Sequence, residues 1–252
     1  MKNYITVLTF FFSLISYSQK IEIKNPITVK YLMTLDFDGT KNYDCILNFN
    51  EAKSFFEWNE FEKKKKTKEE IGNEISKGNV SIDITDKSSL FIFSDNKNNI
   101  LYEKKPKLDE QFILKEKIEI ISWKRVDSTK IIGNFNCKLA FSNFRGRKYF
   151  AWYTTDIPAF SGPWKLQGLP GLIIEAYDST GEVYIIASEI KNKDITLQEN
   201  VLNNSIVLNK AEWLKKKNEY KNNLKSKLFR NLPRSATINN LKIKEKKDFE
   251  IN

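Results

Sequence analysis

Histidine is missing from all 252 residues. Its absence excludes Ser-His-Asp and Cys-His catalysis, the zinc proteases built on paired histidines, and histidine-ligated copper or haem. Cysteine is nearly missing. Cys45 and Cys137 are the only two, too few for a four-cysteine metal site, and they form no CxxC redox motif. Beyond Ile15 no apolar run approaches the ~20 residues that a membrane-spanning helix needs. There is no internal repeat and no nucleic-acid-binding motif. The sequence implies no metal and no cofactor, and any enzyme chemistry is left to carboxylate, Lys, Tyr or Cys side chains.

What is present at the N-terminus points to export. Lys2 precedes the apolar run Ile5 to Ile15, and Ser16-Tyr17-Ser18 leads to Gln19. A positive end, a short apolar core and small residues before a cut are the order of a secretory signal peptide. Cleavage after Ser18 leaves 252 − 18 = 234 residues, enough for one large β domain or two small ones. The expected organisation is a signal peptide over 1–18 and a single β-rich domain over 19–252, in the periplasm or secreted. No Cys stands at the cut, so no lipid anchor is expected. The formal charge of +10 comes mainly from Lys scattered among Asn and Ile. That pattern reads as solvated surface, with no nucleic-acid partner.

Aromatic residues make up 13% of the chain, a composition suited to strand faces. Ile27, Val29, Tyr31, Met33, Leu35 and Phe37 alternate with polar residues, Asp38-Gly39 signals a short turn, and Tyr43, Cys45, Leu47 and Phe49 alternate again. This spacing predicts a long β-hairpin. Asn50 to Phe61 predicts a short helix, and Lys63 to Lys68 a charged loop. Further strands are expected at Val80 to Ile84, Leu90 to Phe93, Ile100 to Glu103, Phe112 to Glu116, Ile118 to Trp123, Phe135 to Phe141, Tyr149 to Thr154, Leu172 to Tyr177 and Val183 to Ser188. Their regular spacing suggests an antiparallel meander. Asn209 and Glu212 match a helix start, and Trp213, Tyr220, Leu224 and Leu228 form an apolar stripe. One amphipathic helix is predicted over about 210–231, packed on the sheet, with a basic helix lying on anionic lipid as the alternative. The tail from Leu241 to Asn252 is polar.

The stretch from Gly133 to Asp178 carries the most specific signal. Gly168-Leu169-Pro170-Gly171-Leu172-Ile173 spells GLPGLI. Upstream stand Cys137-Lys138, Arg145-Gly146-Arg147, Ala151-Trp152-Tyr153-Thr154, Ile157-Pro158 and Gly162-Pro163-Trp164. In order and spacing this resembles the GLPGLI family of exported bacterial proteins, a family described as of unknown function. The resemblance implies export and architecture, and no activity.

Physically, Leu-Pro-Gly-Leu predicts a type II turn. Pro170 presets the first central position, Gly171 takes the positive φ of the second, and Gly168 allows close backbone approach. No helix start with Ser, Thr or Lys follows, so the glycines do not read as a phosphate cradle. Arg145 and Arg147 flank Gly146 across a hairpin turn. A guanidinium near Trp152 or Trp164 could stack, or bind a carboxylate or phosphate. These four are the candidate ligand-binding residues, with core and cross-strand packing as the competing reading. In an oxidising compartment the even count of Cys45 and Cys137 predicts a disulfide; two buried thiols are the alternative. Asp156, Glu175, Asp178 and Glu182 are the carboxylates nearest the motif, and nothing in the sequence pairs two of them for glycoside hydrolysis.

The expected fold is mainly β: a curved antiparallel sheet or partial barrel, half-barrel-like, with one or two packing helices. By analogy it resembles bacterial lipoprotein-carrier proteins, and a fold does not fix a function. The leading functional reading is a non-enzymatic envelope protein that binds an apolar or peptidic ligand or an outer-membrane protein partner. A carboxylate-dependent hydrolase and a peripheral membrane or polyanion binder are the alternatives.

Overall fold

The chain as a computed structural model describes residues 21–230 apart from 38, 61–89, 107, 109, 193–195, 200, 201, 203 and 204. The signal peptide over 1–18, the Asp38 half of the first turn, the charge run at 63–68, the strand at 80–84 and the tail from 241 lie outside the described residues.

Alternating apolar residues build two antiparallel meanders. The first contains β2 (Ile27–Asp36), β3 (Thr40–Phe49), β4 (Lys53–Glu60), β5 (Leu90–Asp95), β6 (Ile100–Lys104) and β7 (Phe112–Lys117). The second contains β8 (Lys124–Ile132), β9 (Phe135–Phe144), β10 (Arg147–Thr154), β11 (Leu172–Asp178) and β12 (Val183–Asn192). Strands β12 and β2 pair antiparallel and join the meanders. The short β14 (Ile206–Leu208) adds a parallel edge on β7, giving a twelve-stranded sheet. A ribbon of β1 (Ile21–Lys24) and β13 (Thr196–Glu199) stands apart.

Curvature follows from chain connectivity. Strands β7 and β8 are ten steps apart in the sheet order, yet only six residues connect them. Ten steps across a flat sheet would span about 48 Å, whereas six residues and their flanking bonds reach at most about 25 Å. The sheet must therefore curl until its two ends face each other. One face of both meanders lines a single core, from Val29, Tyr31, Met33, Leu47, Phe56 and Ile92 to Ala140, Tyr149, Ala151 and Ala176. The sheet is mainly β, antiparallel-dominated and not closed into a barrel, as the sequence pattern predicts.

Two local expectations are corrected. The helix expected over Asn50 to Phe61 is not found in residues 50–60; β4 pairs with both β3 and β5. Phe56 and Trp58 enter the main core, while Phe55 joins Ile21, Ile23, Phe91, Phe93 and Ile113 under the β1–β13 ribbon. A strand buried on both faces loses the polar alternation that identifies a strand in sequence. Residues 118–123 are not a strand either; they bridge the gap between the sheet ends. Ile121 anchors this bridge in the core. The Trp123 indole N–H donates to the Gln167 carbonyl at 2.8 Å, and the Ser142 hydroxyl donates to the Ser122 carbonyl at 2.9 Å.

Helix α1 (Lys210–Arg230) is the one helix among the described residues. It starts as the sequence predicts, with a reciprocal cap. The Glu212 amide donates to Asn209 Oδ1 at 3.0 Å, and the Asn209 amide donates to Glu212 Oε2 at 2.8 Å. Trp213 seats the helix against Phe112 of β7, ring centroids 5.7 Å apart.

Cys45 and Cys137 are buried free thiols, so the expected disulfide is corrected. They stand on β3 and β9, five strand steps apart along the sheet. Each sulfur instead donates to a carbonyl two residues upstream, Tyr43 at 3.8 Å and Phe135 at 3.7 Å. Burial pushes both thiols above their ordinary pKa, further from reactive thiolate. A thiol reagent should therefore label neither cysteine in the native protein and both in denaturant. An intact mass about 2 Da below the reduced chain would contradict this.

Candidate functional site

The segment between β10 and β11 decides what the concave side of the sheet can hold. Ala159, Trp164, Leu166 and Leu169 from this loop are buried in the main core. Trp164 packs against Phe144 and Tyr149, with centroid separations of 5.7 and 5.8 Å. The chain thus fills its own concavity, as the GLPGLI motif delivers β11 into the core.

The motif does so by a different geometry from the one its spacing predicts. Gly168 and Gly171 both take positive φ, 85° and 159°, and a Cβ at Gly168 would meet open space. At Gly171 a Cβ would sit 2.0 Å from the Thr154 carbonyl oxygen, so this glycine permits close backbone approach. The Leu172 amide donates to the Ile157 carbonyl at 3.1 Å, and no type II turn closes across Pro170-Gly171. The close approach expected of Gly168 thus falls to Gly171.

From the tip of this loop Lys165 reaches across to the opposite end of the sheet. Its ammonium lies 2.7 Å from Glu103 of β6 and 2.7 Å from Glu116 of β7, with its side chain only 1% exposed. Lys105 meets Glu103 at 2.6 Å. Arg145 meets Glu116 at 3.0 Å and Glu119 at 3.3 Å. Three cations and three carboxylates therefore join sheet ends that no backbone ladder connects. Arg145 is placed by a two-residue hairpin in which it and Gly146 have φ of 49° and 82°, the signature of a type I′ turn.

The four expected ligand-binding residues do not converge. Arg145 and Trp164 share this charged seam, where both are occupied by protein partners. Arg147 is buried against Asp178 and Glu182, 2.7 Å from each, over the ring of Phe37. Strand alternation turns Trp152 to the outer face, yet it is buried and joins the main core, with the Lys130 ammonium 4.5 Å from its ring centroid. Burial raises the Asp178 carboxyl, but the Thr180 hydroxyl, the Val183 amide and Arg147 outweigh it and hold Asp178 below the usual carboxylate range. Glu175 is bound by Lys130 and by the Tyr184 hydroxyl, which donates at 3.0 Å. Asp178 is thus not placed as the raised, protonated acid of a glycosidase pair.

What the structure does bring together is the outer face of β8 to β12. Cross-strand register places Phe141, Phe150, Tyr177 and Tyr184 in one row over four consecutive strands. The Phe150 and Tyr177 rings stack at 5.4 Å, and Phe141 and Phe150 meet at 6.0 Å. Lys148 lies over both Phe rings. The adjacent row runs Val126, Leu139, Trp152, Glu175, Ile186 and Leu32. Phe141, Phe150 and Tyr177 are half-buried, while Leu32 and Tyr184 are exposed. Beside them a shallow depression of about 420 Å³ is lined by Lys130, Glu175, Tyr177, Asp178, Gly181, Val183 and Tyr184. The β1–β13 ribbon covers the corresponding face over β4 to β7. Over β8 to β12 and the adjoining β2, Leu32, Val126 and Tyr184 on this face are exposed, whereas Trp152 and Glu175 are buried. The sequence offered only a partial signal for this surface: the aromatic alternation of each strand is visible, but the register that lines the rings up is not.

A curled, open antiparallel sheet that packs its own loop against its concave side defines the class of the protein. The family model described as "Protein of unknown function (Porph_ging)" matches residues 43–175, more than half of the chain, and the chain belongs to that family. No curated protein matches it. Among solved structures it is similar to PNGF-II, with 16% identity and a TM-score of 0.51, over 76% of this chain and 32% of that one. At that identity the likeness is one of fold, and this chain spans about a third of the length of that protein. An uncharacterized conserved protein from Thermus thermophilus aligns at 8% identity and TM-score 0.39, over 75% of this chain and 92% of that one. A LolA superfamily protein from Nitrosomonas europaea aligns at 8% identity and TM-score 0.30, over 68% and 88%.

Proposed function

We propose that this is an exported, non-enzymatic binding protein that engages a peptidic ligand or an envelope protein partner through the outer face of β8 to β12. One observation carries the reading: the concave side is filled by residues of the chain's own β10–β11 loop, while the row of rings on the outer face stays half-buried at Phe141, Phe150 and Tyr177 and exposed at Tyr184. A solvent-reaching row of aromatic rings is the composition of contact surfaces, where aromatic side chains dominate the energetics. The signal-like residues 1–18 and the GLPGLI resemblance over 168–173 support export and placement in that family of exported proteins.

The test is photo-crosslinking in cells, with the reactive residue at Phe150 or Tyr184 and, as a control, at the exposed Glu22 of the β1–β13 ribbon. A discrete adduct from the outer-face positions and none from Glu22 is the expected result. Equal labelling from all three, or none from Phe150 and Tyr184, would overturn the reading. Native mass spectrometry of the envelope-purified protein is expected to give the bare polypeptide mass, because the chain occupies its own concavity. A reproducible added mass would favour an apolar cargo instead.

A further inference from the structure

Strand β8 ends the sheet, and its far edge carries no partner strand among the described residues. Most of its nine residues are exposed, including Lys124, Arg125, Val126, Asp127, Thr129 and Ile131. Val126 is 38% exposed and Ile131 78%. Edge strands of this length are normally blunted by proline, by a covering element, by charge or by a bulge, because their unpaired amides and carbonyls template further pairing. Here there is no proline and, among the described residues, no cover. The bulge that sets Asp127 and Ser128 between the Val126↔Leu139 and Thr129↔Lys138 pairs kinks the edge without removing it. Lys124, Arg125 and Asp127 are the remaining guard, two basic charges against one acidic. Lysine and arginine on an edge do not forbid pairing; they select which strand can add.

We propose that β8 is a strand-addition site for an extended acidic segment of a partner protein. This rests on the reading of the outer face as the contact surface, and it names the partner's chemistry. The two outer rows run onto β8, because Lys124 pairs with Phe141 and Val126 with Leu139. A strand laid beside β8 extends both rows. On the outer face it places one residue beside Lys124 and, two positions along, one beside Val126. An acidic residue suits the first place and an apolar residue the second. A further acidic residue suits Arg125 on the opposite face. Val126 and Ile131 add exposed apolar positions to the edge, so a segment with two adjacent acidic residues followed by apolar ones complements it. A second copy of this chain is the poorer occupant. It would bring its own Lys124 and Arg125 to the same rim of a chain whose formal charge is already +10.

The probe is a fluorescent peptide of about ten residues in which two adjacent glutamates are flanked by valines, titrated with the full chain and read by anisotropy. Binding should weaken as salt rises. Methylating alternate peptide amides in one phase should abolish binding, whereas methylation in the other phase should leave it nearly unchanged, since only every second amide of an added strand faces β8. The Lys124→Glu, Arg125→Glu double variant should bind the peptide about tenfold more weakly and should bind a lysine–valine peptide more tightly. Equal binding by both methylated phases, no response to the double variant, or no binding at all would overturn the proposal. So would a chain that self-associates through β8 in sedimentation and loses that association in the double variant. The crosslinks at Phe150 and Tyr184 are independent of this peptide, so loss of strand addition with those adducts retained refutes the edge site and leaves the outer-face reading standing.

Discussion

Replacing Lys165 by methionine should destabilise the protein by about 3–5 kcal/mol, the range for removing one partner of a buried charge pair. The ammonium stands between Glu103 and Glu116, and its side chain is almost wholly excluded from water. Methionine fills a similar volume but leaves both carboxylates short of a cation in a poorly solvated seam. The loss should also depend on pH. Burial pushes the Glu103 carboxyl up, but the adjacent Lys105 and Lys165 together outweigh it and hold the carboxyl at about 2 against an ordinary 4.5. Because the folded value is depressed, the stabilisation it supplies is complete above about pH 4.5 and drains away as pH falls toward 2. The gap between wild type and Lys165→Met should therefore be widest near neutrality and narrow in acid. Urea denaturation followed by tryptophan fluorescence across that range measures it. A gap below about 1 kcal/mol at neutral pH, or one that widens in acid, would show that the six-membered charge network does not hold the sheet ends together.

The second large effect falls on a glycine. Gly171→Ala should cost at least about 3 kcal/mol. The added methyl would lie 2.0 Å from the Thr154 carbonyl oxygen and 2.8 Å from its carbonyl carbon, both backbone atoms that β10 holds in place. Relief requires the start of β11 to move away from the end of β10, where Leu172 pairs with Thr154. Gly168→Ala is the internal comparison. Its methyl meets nothing within 4 Å, and only the φ of 85° opposes it, a penalty of about 1 kcal/mol. Comparable losses from the two substitutions would mean that the GLPGLI segment is a simple turn rather than a close crossing of two strands.

Several particular residues show where the sequence spoke and where it was silent. The alternation from Ile27 to Phe37 is legible because β2 buries one face and leaves much of the other to water. The cap at Asn209 and Glu212 is legible because both of its hydrogen bonds are local. Phe55 and Phe56 mislead for the opposite reason. Two covered faces give a continuous apolar run that a short helix would also give. Ile118 to Trp123 alternates acceptably for a strand, yet no pairing partner is within its reach. Arg147 and Trp152 are conspicuous in sequence, but their partners Asp178 and Glu175 lie more than twenty positions away, brought close by register alone.

The sequence by itself determined the β class, the two hairpin-rich runs, the capped helix and the chemistries that histidine's absence removes. These are properties of composition and of spacing within a few residues, where the period of two and the local hydrogen bonds act directly. Only the tertiary structure decided that the sheet curls end to end, that Lys165 joins those ends, that the two cysteines stay apart, and that one face is left as a row of rings beside an open edge. Each of these depends on which distant strands become neighbours and in what register. A one-residue shift of register would have moved every one of those side chains to the other face.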